Sequence, residues 1–332
     1  MPLSLIFISP GNYTIEDNGI PGDNTSVIKD GDGNVIFTFI HPADSLTFTV
    51  SSPGVNLTVN ITDSLGAADF TIGDLTNSAA TPESIVIRNI NTTGAVTLVS
   101  NGFIREGGND AAADIVAGSL VMSAVSGVGT GANAIETQIA TLEAETTTGG
   151  ITLVNFGSVQ VGGLTSEVDG LEVFTSGAIN LTAYGSILLG DTTGLESVRG
   201  GSASGNVTLN AVGFSSDIIA TVDNDAITVP AGSIFLNAGR DIAFGIIGAN
   251  FDNDVRANGN ISVKAGRDFL IDGFADMVSD DFGGATGGNV SINAGNNIHL
   301  RNVAGTDASI LANGNAGGNV ALTSGVGGSV VL

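Results

Sequence analysis

Residues 259–271 read GNISVKAGRDFLI, residues 232–244 read GSIFLNAGRDIAF, and residues 288–300 read GNVSINAGNNIHL. They are one unit written three times. A glycine and a small polar residue open it, and an apolar-x-apolar run follows. A second turn (AGRD or AGNN) interrupts before another apolar-x-apolar run closes the unit. Successive strand side chains point to opposite faces. Ile234, Leu236, Ile261, Val263, Val290 and Ile292 therefore share the inward face, while Ser262, Lys264, Ser291 and Asn293 face out.

The same unit appears on both sides of this stretch. GAVTLVS begins at Gly94, GSLVMSA at Gly118, GITLVNF at Gly150, GAINLTA at Gly177, GNVTLNA at Gly205 and GNVALTS at Gly318. From Gly150 onward the spacing between units settles at 27–30 residues. A period of this size marks a stacked repeat. One rung cannot bury its inward side chains against itself, and ordering it costs roughly 1–2 kcal/mol of backbone entropy per residue. Stacking pairs every strand with the next coil and builds a continuous apolar column. No i, i+3, i+4, i+7 pattern competes.

The expected fold is all-β. It is a right-handed parallel β-helix (solenoid) of about 10–12 rungs of about 27–30 residues, covering residues 54–332. Right-handedness is expected because the rungs are long and variable and lack a strict hexapeptide repeat. At about 4.8 Å per rung the rod is on the order of 50 Å long. Residues 1–53 (LSLIFI, NYTI, VIFTFI and SLTFTV between Pro and Gly turns) are strand-rich but less regular. They read as an N-terminal cap over the open core. Residues 103–117, 129–148 and 272–287 read as variable loops held on the scaffold.

Composition excludes several functions. The chain has 332 residues, 42% of them hydrophobic, which separates it from a disordered acidic tail. A net charge of -24 repels phosphate backbones, so nucleic acid is not an expected partner. The absence of Cys removes disulfides and thiolate metal sites. No apolar run approaches the roughly 20 residues of a membrane span. MPLSLIFISPG lacks the basic start and cleavage site of a signal peptide.

Asp223-Asn224-Asp225 and Asp252-Asn253-Asp254 recur about one rung apart. Stacked carboxylates repel, and a Ca²⁺ ion taking six to eight oxygens relieves that. Asp223, Asp225, Asp252 and Asp254 are therefore candidate calcium ligands, with solvated turns as the competing reading. Asp30-Gly31-Asp32-Gly33-Asn34 opens like an EF-hand loop. The loop then needs Gly and Glu where Val35 and His41 stand, so a hairpin turn is expected. The Arg240-Asp241 and Arg267-Asp268 corners should stack over Asn296-Asn297 as a ladder of ion pairs. His41 and His299 are the only histidines, and His299 falls on an outward position.

For a polysaccharide lyase or hydrolase the best acidic pair is Asp280-Asp281. Nine Lys and Arg, no Trp, and only Tyr13 and Tyr184 give little to grip or stack on sugars. The chain is expected not to be an enzyme and to need no cofactor, calcium apart.

The units GNISVKAGRDFLI, GSIFLNAGRDI and GNVTLNA resemble the repeats of filamentous-haemagglutinin-like and autotransporter-type bacterial exoproteins, over roughly residues 94–332. The resemblance implies a secreted or cell-surface β-helix shaft of a Gram-negative bacterium, serving adhesion to surface glycans or matrix proteins. No secretion domain of that family is recognisable at the start, and the chain stops within a rung at GSVVL. A fragment of a longer protein is therefore expected. A calcium-stabilised matrix or surface-layer component is a further alternative.

Overall fold

A computed structural model describes the chain except residues 109, 191–195, 221–224, 246–253, 274, 280–281, 283–287, 302–307 and 313–317. Its strands form two sheets, one of nineteen strands and one of fifteen, and they pair in parallel except where Gly11–Asp17, Thr25–Lys29 and Val35–Ile40 run antiparallel, each to the next. The chain is a parallel β-helix. One repeat unit traces one coil. Ile234–Ala238, Ile242–Phe244 and Val255–Ala257 follow one another, and Ile261–Ala265 then lies in register on Ile234–Ala238.

The register keeps equivalent residues in vertical columns. Val207, Ile234, Ile261, Val290 and Val320 pair one on the next, as do Leu209, Leu236, Val263, Ile292 and Leu322. The strand Ile261–Ala265 alternates buried and exposed residue by residue, as its sequence demands. These columns belong to one apolar core that runs the height of the molecule. Aromatic rings fill its N-terminal end, with Phe48 against Phe7, Phe39 and Phe70 at 5.8–6.1 Å between ring centres.

Glycine opens each unit because there is no room for a side chain. A β-carbon on Gly259 would lie 2.7 Å from the carbonyl oxygen of Gly232 one coil below. A second column, Gly213, Gly239, Gly266, Gly295 and Gly325, is packed in the same way at the next corner. Next to the first column stands a ladder of side chains. The Asn260 backbone N–H donates to Ser233 Oγ (3.0 Å), that of Asn289 to Asn260 Oδ1 (2.8 Å), and that of Asn319 to Asn289 Oδ1 (3.0 Å). The Gly-Asn/Ser signature is thus a steric requirement beside a hydrogen-bonding one.

The cross-section changes at Thr141–Thr148. Before it, coils carry two principal strands, such as Ser45–Val50 and Val55–Asn60. Thr141–Thr148 is long enough to take two strands of the next coil side by side. Leu142 pairs with Val161 and Ala144 with Leu171. The next six coils keep three strands each. At the fork sits Glu143, with no exposed surface. Its carboxylate accepts from Leu164 N (2.6 Å), Thr165 N (3.0 Å) and Thr165 Oγ1 (2.9 Å), which ties down the turn that separates the two strands.

Three sequence expectations need correction. Residues 129–148 are not a loop, since they carry Ile135–Gln138 and Thr141–Thr148. Residues 103–117 include Phe103–Glu106 and Ile115–Val116, and residues 272–287 include Asp276–Ser279. In Thr141–Thr148 the alternation was hidden because Glu143 and Glu145 occupy outward positions that the coil partly or wholly covers. Within residues 1–53, Leu3–Phe7 and Gly11–Asp17 already pair in parallel with the next coil. The antiparallel hairpin Thr25–Lys29 and Val35–Ile40 lies beyond them at the sheet end. Its turn is the Asp30–Asn34 stretch, where Asp30 Oδ1 accepts from Asp32 N (3.1 Å) and Asn34 N (2.9 Å). Setting aside this hairpin and the side strand Phe103–Glu106, the fifteen-stranded sheet provides twelve coil positions among the described residues.

Candidate functional site

Four groups of chemistry-bearing residues emerge once the coils are stacked. The first is the AGRD corner. Arg240 Nε donates to Asp217 Oδ1 one coil below (2.7 Å), and Arg267 Nε to Asp241 Oδ1 (2.8 Å). The same aspartates accept from the coil above, Asp217 Oδ1 from Asp241 N (3.1 Å) and Asp241 Oδ1 from Asp268 N (3.1 Å). Asn297 N donates to Asp268 Oδ1 (3.0 Å), continuing the ladder where arginine gives way to asparagine. Burial alone would raise the Asp268 carboxyl, but bonds from Asn297 and Asn296 outweigh it and hold the group below the usual aspartate range. The ion-pair ladder expected from sequence is present. The outer pair, Arg267–Asp241, is of the exposed kind that contributes only about 0–1 kcal/mol, whereas the Asp217 carboxylate is buried beneath Arg240.

Beside this corner an open cleft of about 290 Å³ is lined by Asp241, Arg267, Asp268, Leu270, His299 and Arg301, among others. His299 stacks on Leu270 in the outward column. Among the described residues no serine, threonine or cysteine lines the cleft beside His299. His41 lies far along the chain and faces Ser26 Oγ at 2.8 Å.

The second group is a column across the nineteen-stranded sheet: Ser123, Glu145, Glu172, Arg199, Thr228 and Arg256, each paired with the next. Ser123 Oγ donates to Glu145 (2.6 Å), and Arg199 Nη1 to Glu172 (3.1 Å). Burial pushes the carboxyls of Glu145, Glu172 and Glu196 up. Arg199 pulls Glu172 and Glu196 back, while Asp169 adds to the rise of all three. A raised carboxyl next to an ionised one can act as an acid–base pair. Glu172, however, is only 7% exposed and engaged by Arg199.

The third group contains the predicted calcium ligands. Asp223 and Asp252 lie outside the described residues, as do Asp280 and Asp281. Asp225 and Asp254 are brought to the same side chain, Arg256. Arg256 Nε donates to Asp254 Oδ2 (2.9 Å) and stands 3.9 Å from Asp225 Oδ1. Asp254 is 1% exposed, and its Oδ1 accepts from Asp276 N (2.7 Å). A guanidinium thus supplies positive charge between these two carboxylates. The sequence signal was Arg256 itself, two residues beyond Asp254 on an outward strand position.

The fourth group was not anticipated. Glu106 ends the strand Phe103–Glu106, Asp114 precedes Ile115–Val116, and Glu136 lies in Ile135–Gln138. Both shorter strands pair with the long strand Ser84–Asn91, which brings Glu106 and Asp114 onto the same coil. Glu136 stands one coil above. One carboxylate oxygen from each lies within 4.8 Å of the others. Asp114 Oδ2 accepts from Glu136 N (3.0 Å), and Glu106 Oε1 from Asp110 N (3.3 Å). Glu106 Oε2 and Glu136 Oε2 are buried with no hydrogen-bond partner. Burial first, and the neighbouring carboxylates second, push Asp114 up to about 8 and raise Glu136. The three residues share no rung-length spacing, so repeat alignment gave no signal for them.

No protein-family model, curated protein or solved structure matches the chain.

Proposed function

We propose that the chain is the shaft of a secreted or surface-exposed bacterial protein, serving adhesion to glycans or matrix proteins. The observation that carries this reading is an outward column on the fifteen-stranded sheet. Thr182, Asn210, Asn237, Lys264, Asn293 and Thr323 follow one another in unbroken register. Asn237 Nδ2 donates to Asn210 Oδ1 (2.9 Å), so neighbouring side chains also order each other. Such a column presents a hydrogen-bonding group about every 4.8 Å along a rigid face. That surface suits many weak contacts with an extended polymer, and multivalent contact multiplies weak affinities. The resemblance of the repeats to filamentous-haemagglutinin-like exoproteins supports the same reading, including the bacterial surface location. Among the described residues no helix is long and apolar enough to cross a membrane.

A second reading, a β-helix glycan hydrolase, is favoured by one observation. Glu145 and Glu172 pair on adjacent coils, and both are raised by burial. The roughly 4.8 Å strand spacing is near the carboxyl separation of about 5–5.5 Å in retaining glycosidases. The burial of Glu172 and its bond to Arg199 weigh against it.

Both readings meet in one experiment. The purified chain is bound to a panel of glycans and matrix proteins while reducing ends are assayed in the same wells. Saturable binding without cleavage supports the shaft. Reducing ends that disappear in Glu145→Gln would replace it with the hydrolase. Failure to bind any class on the panel counts against adhesion by this segment.

A further inference from the structure

We propose that Glu106, Asp114 and Glu136 form a binding site for a hard divalent cation, calcium, which ties the end of Phe103–Glu106 and the start of Ile115–Val116 to the coil above. The inference stands apart from the adhesion reading. It starts from a comparison of buried acids. Among the other described residues each strongly buried carboxylate is met by a donor set. Arg240 meets Asp217, Arg256 meets Asp254, Arg301 meets Asp272, Arg199 meets Glu172, and the Leu164–Thr165 turn meets Glu143. The acidic triad is different. Among the described residues no lysine, arginine or histidine forms a salt bridge with any of its three members. Arg105, next to Glu106 in sequence, places its guanidinium 4.1 Å from the Phe103 ring centre instead.

The second observation is independent of the clustering. Glu106 is 7% exposed, and its Oε2 is buried without a hydrogen-bond partner. A buried, unpartnered carboxylate oxygen carries an uncompensated desolvation cost. Glu136 Oε2 is in the same condition. Two orphaned oxygens on carboxylates whose ligand atoms lie within 4.8 Å of one another are what a cation held between them would compensate. The donor set is oxygen only, with no histidine or cysteine, which selects hard ions over zinc or copper. Calcium takes carboxylates at 2.3–2.6 Å in irregular geometry and completes its shell with carbonyls and water. Magnesium demands a near-ideal octahedron and gives up water reluctantly. Three ligands drawn from two coils suit the more permissive ion.

The test uses the full chain, freed of metal by chelator and titrated with CaCl₂ at constant ionic strength. A chain of this charge would otherwise respond to any salt. Calorimetry should give one saturable site, and calcium should raise the melting temperature by several degrees. Glu106→Gln and Glu136→Gln should each weaken calcium binding at least tenfold. In chelator the same variants should melt no lower than the wild type, because removing one carboxylate relieves repulsion within the triad. That second readout separates loss of a ligand from loss of the fold. Absence of a saturable calcium site overturns the proposal, as does unchanged binding in Glu106→Gln. Magnesium binding as tightly as calcium overturns the assignment of the ion.

Discussion

Gly266→Ala isolates the steric rule behind the repeat. A β-carbon at this position would stand 2.7 Å from the carbonyl carbon of Gly239, closer still to its oxygen, and 3.5 Å from Ala238 O. Carbon atoms in van der Waals contact lie at about 3.5–4.0 Å. One coil must therefore move roughly 1 Å away from the other. The backbone bonds that span this corner are Gly266 N to Ala238 O (2.9 Å) and Arg267 N to Arg240 O (2.7 Å). A 1 Å displacement stretches both beyond useful range. With a cost of about 1–3 kcal/mol for each buried group left unpaired, and partial relief from water at the corner, the expected loss is about 2–4 kcal/mol. Gly131→Ala is the control, because no atom lies within 4 Å of a β-carbon there. It should be neutral or gain up to about 1 kcal/mol through the unfolded chain. Coils of a solenoid open locally, so amide hydrogen exchange at Arg267 and Asn296 reports the effect better than global melting. A loss of 2–4 kcal/mol accelerates their exchange by roughly 30- to 1,000-fold. Exchange within threefold of the wild type would refute the claim that close coil stacking is why glycine recurs.

Three further outcomes are expected. Glu143→Ala leaves the Leu164 and Thr165 donors without their acceptor. The fork should loosen by about 3 kcal/mol, and limited proteolysis should cut the 162–170 turn, whereas an uncut turn would remove Glu143 from its role. Asn260→Ala removes the acceptor used by Asn289 N and should cost about 1 kcal/mol. Asn260→Ser should cost less, because Ser233 already does this work one coil below, and equal losses on denaturation would sink the ladder argument. Burial raises Glu145, Glu172 and Glu196, so the folded state holds protons that the unfolded chain releases. Stability should therefore decline as pH climbs from the ordinary carboxylate value near 4.3 through the raised folded values. Melting in chelator should be higher at pH 5.5 than at pH 8, and Glu145→Gln should flatten the slope. A higher melting point at pH 8 would contradict the assignment.

The β-helix was legible because its cause is local and repeated. Ile234, Leu236, Ile261 and Val263 alternate with polar residues, and each glycine marks a contact that recurs at one rung length. The AGRD ladder was legible for the same reason. The fork at Thr141–Thr148 was not, because it happens once and a single event has no period. Glu143 and Glu145 looked like surface residues on an irregular loop, yet coil neighbours supply the donors and cover that make strand positions of them. The column from Glu145 to Glu172 to Arg199 does keep a 27-residue interval, so alignment by charge as well as by apolar pattern would have found it. The Glu106, Asp114 and Glu136 cluster depends on two shorter strands pairing with one long strand, and no spacing rule encodes that. The Asp-Asn-Asp repeats drew attention through like charge, while Arg256, which stands between Asp225 and Asp254, is a partner chosen by stacking.

The hydrogen bonds between coils all run along the axis of the rod. A pull on the two ends therefore loads the coils in series, and the weakest interface lets go first without loading its neighbours less. Each release frees one rung of about 27–30 residues, close to 100 Å of chain at roughly 3.5 Å per residue, where the folded coil spanned only about 5 Å. Under tension the molecule would behave as a stepwise extensible tether, each released coil lengthening about twentyfold while the coils on either side stay closed.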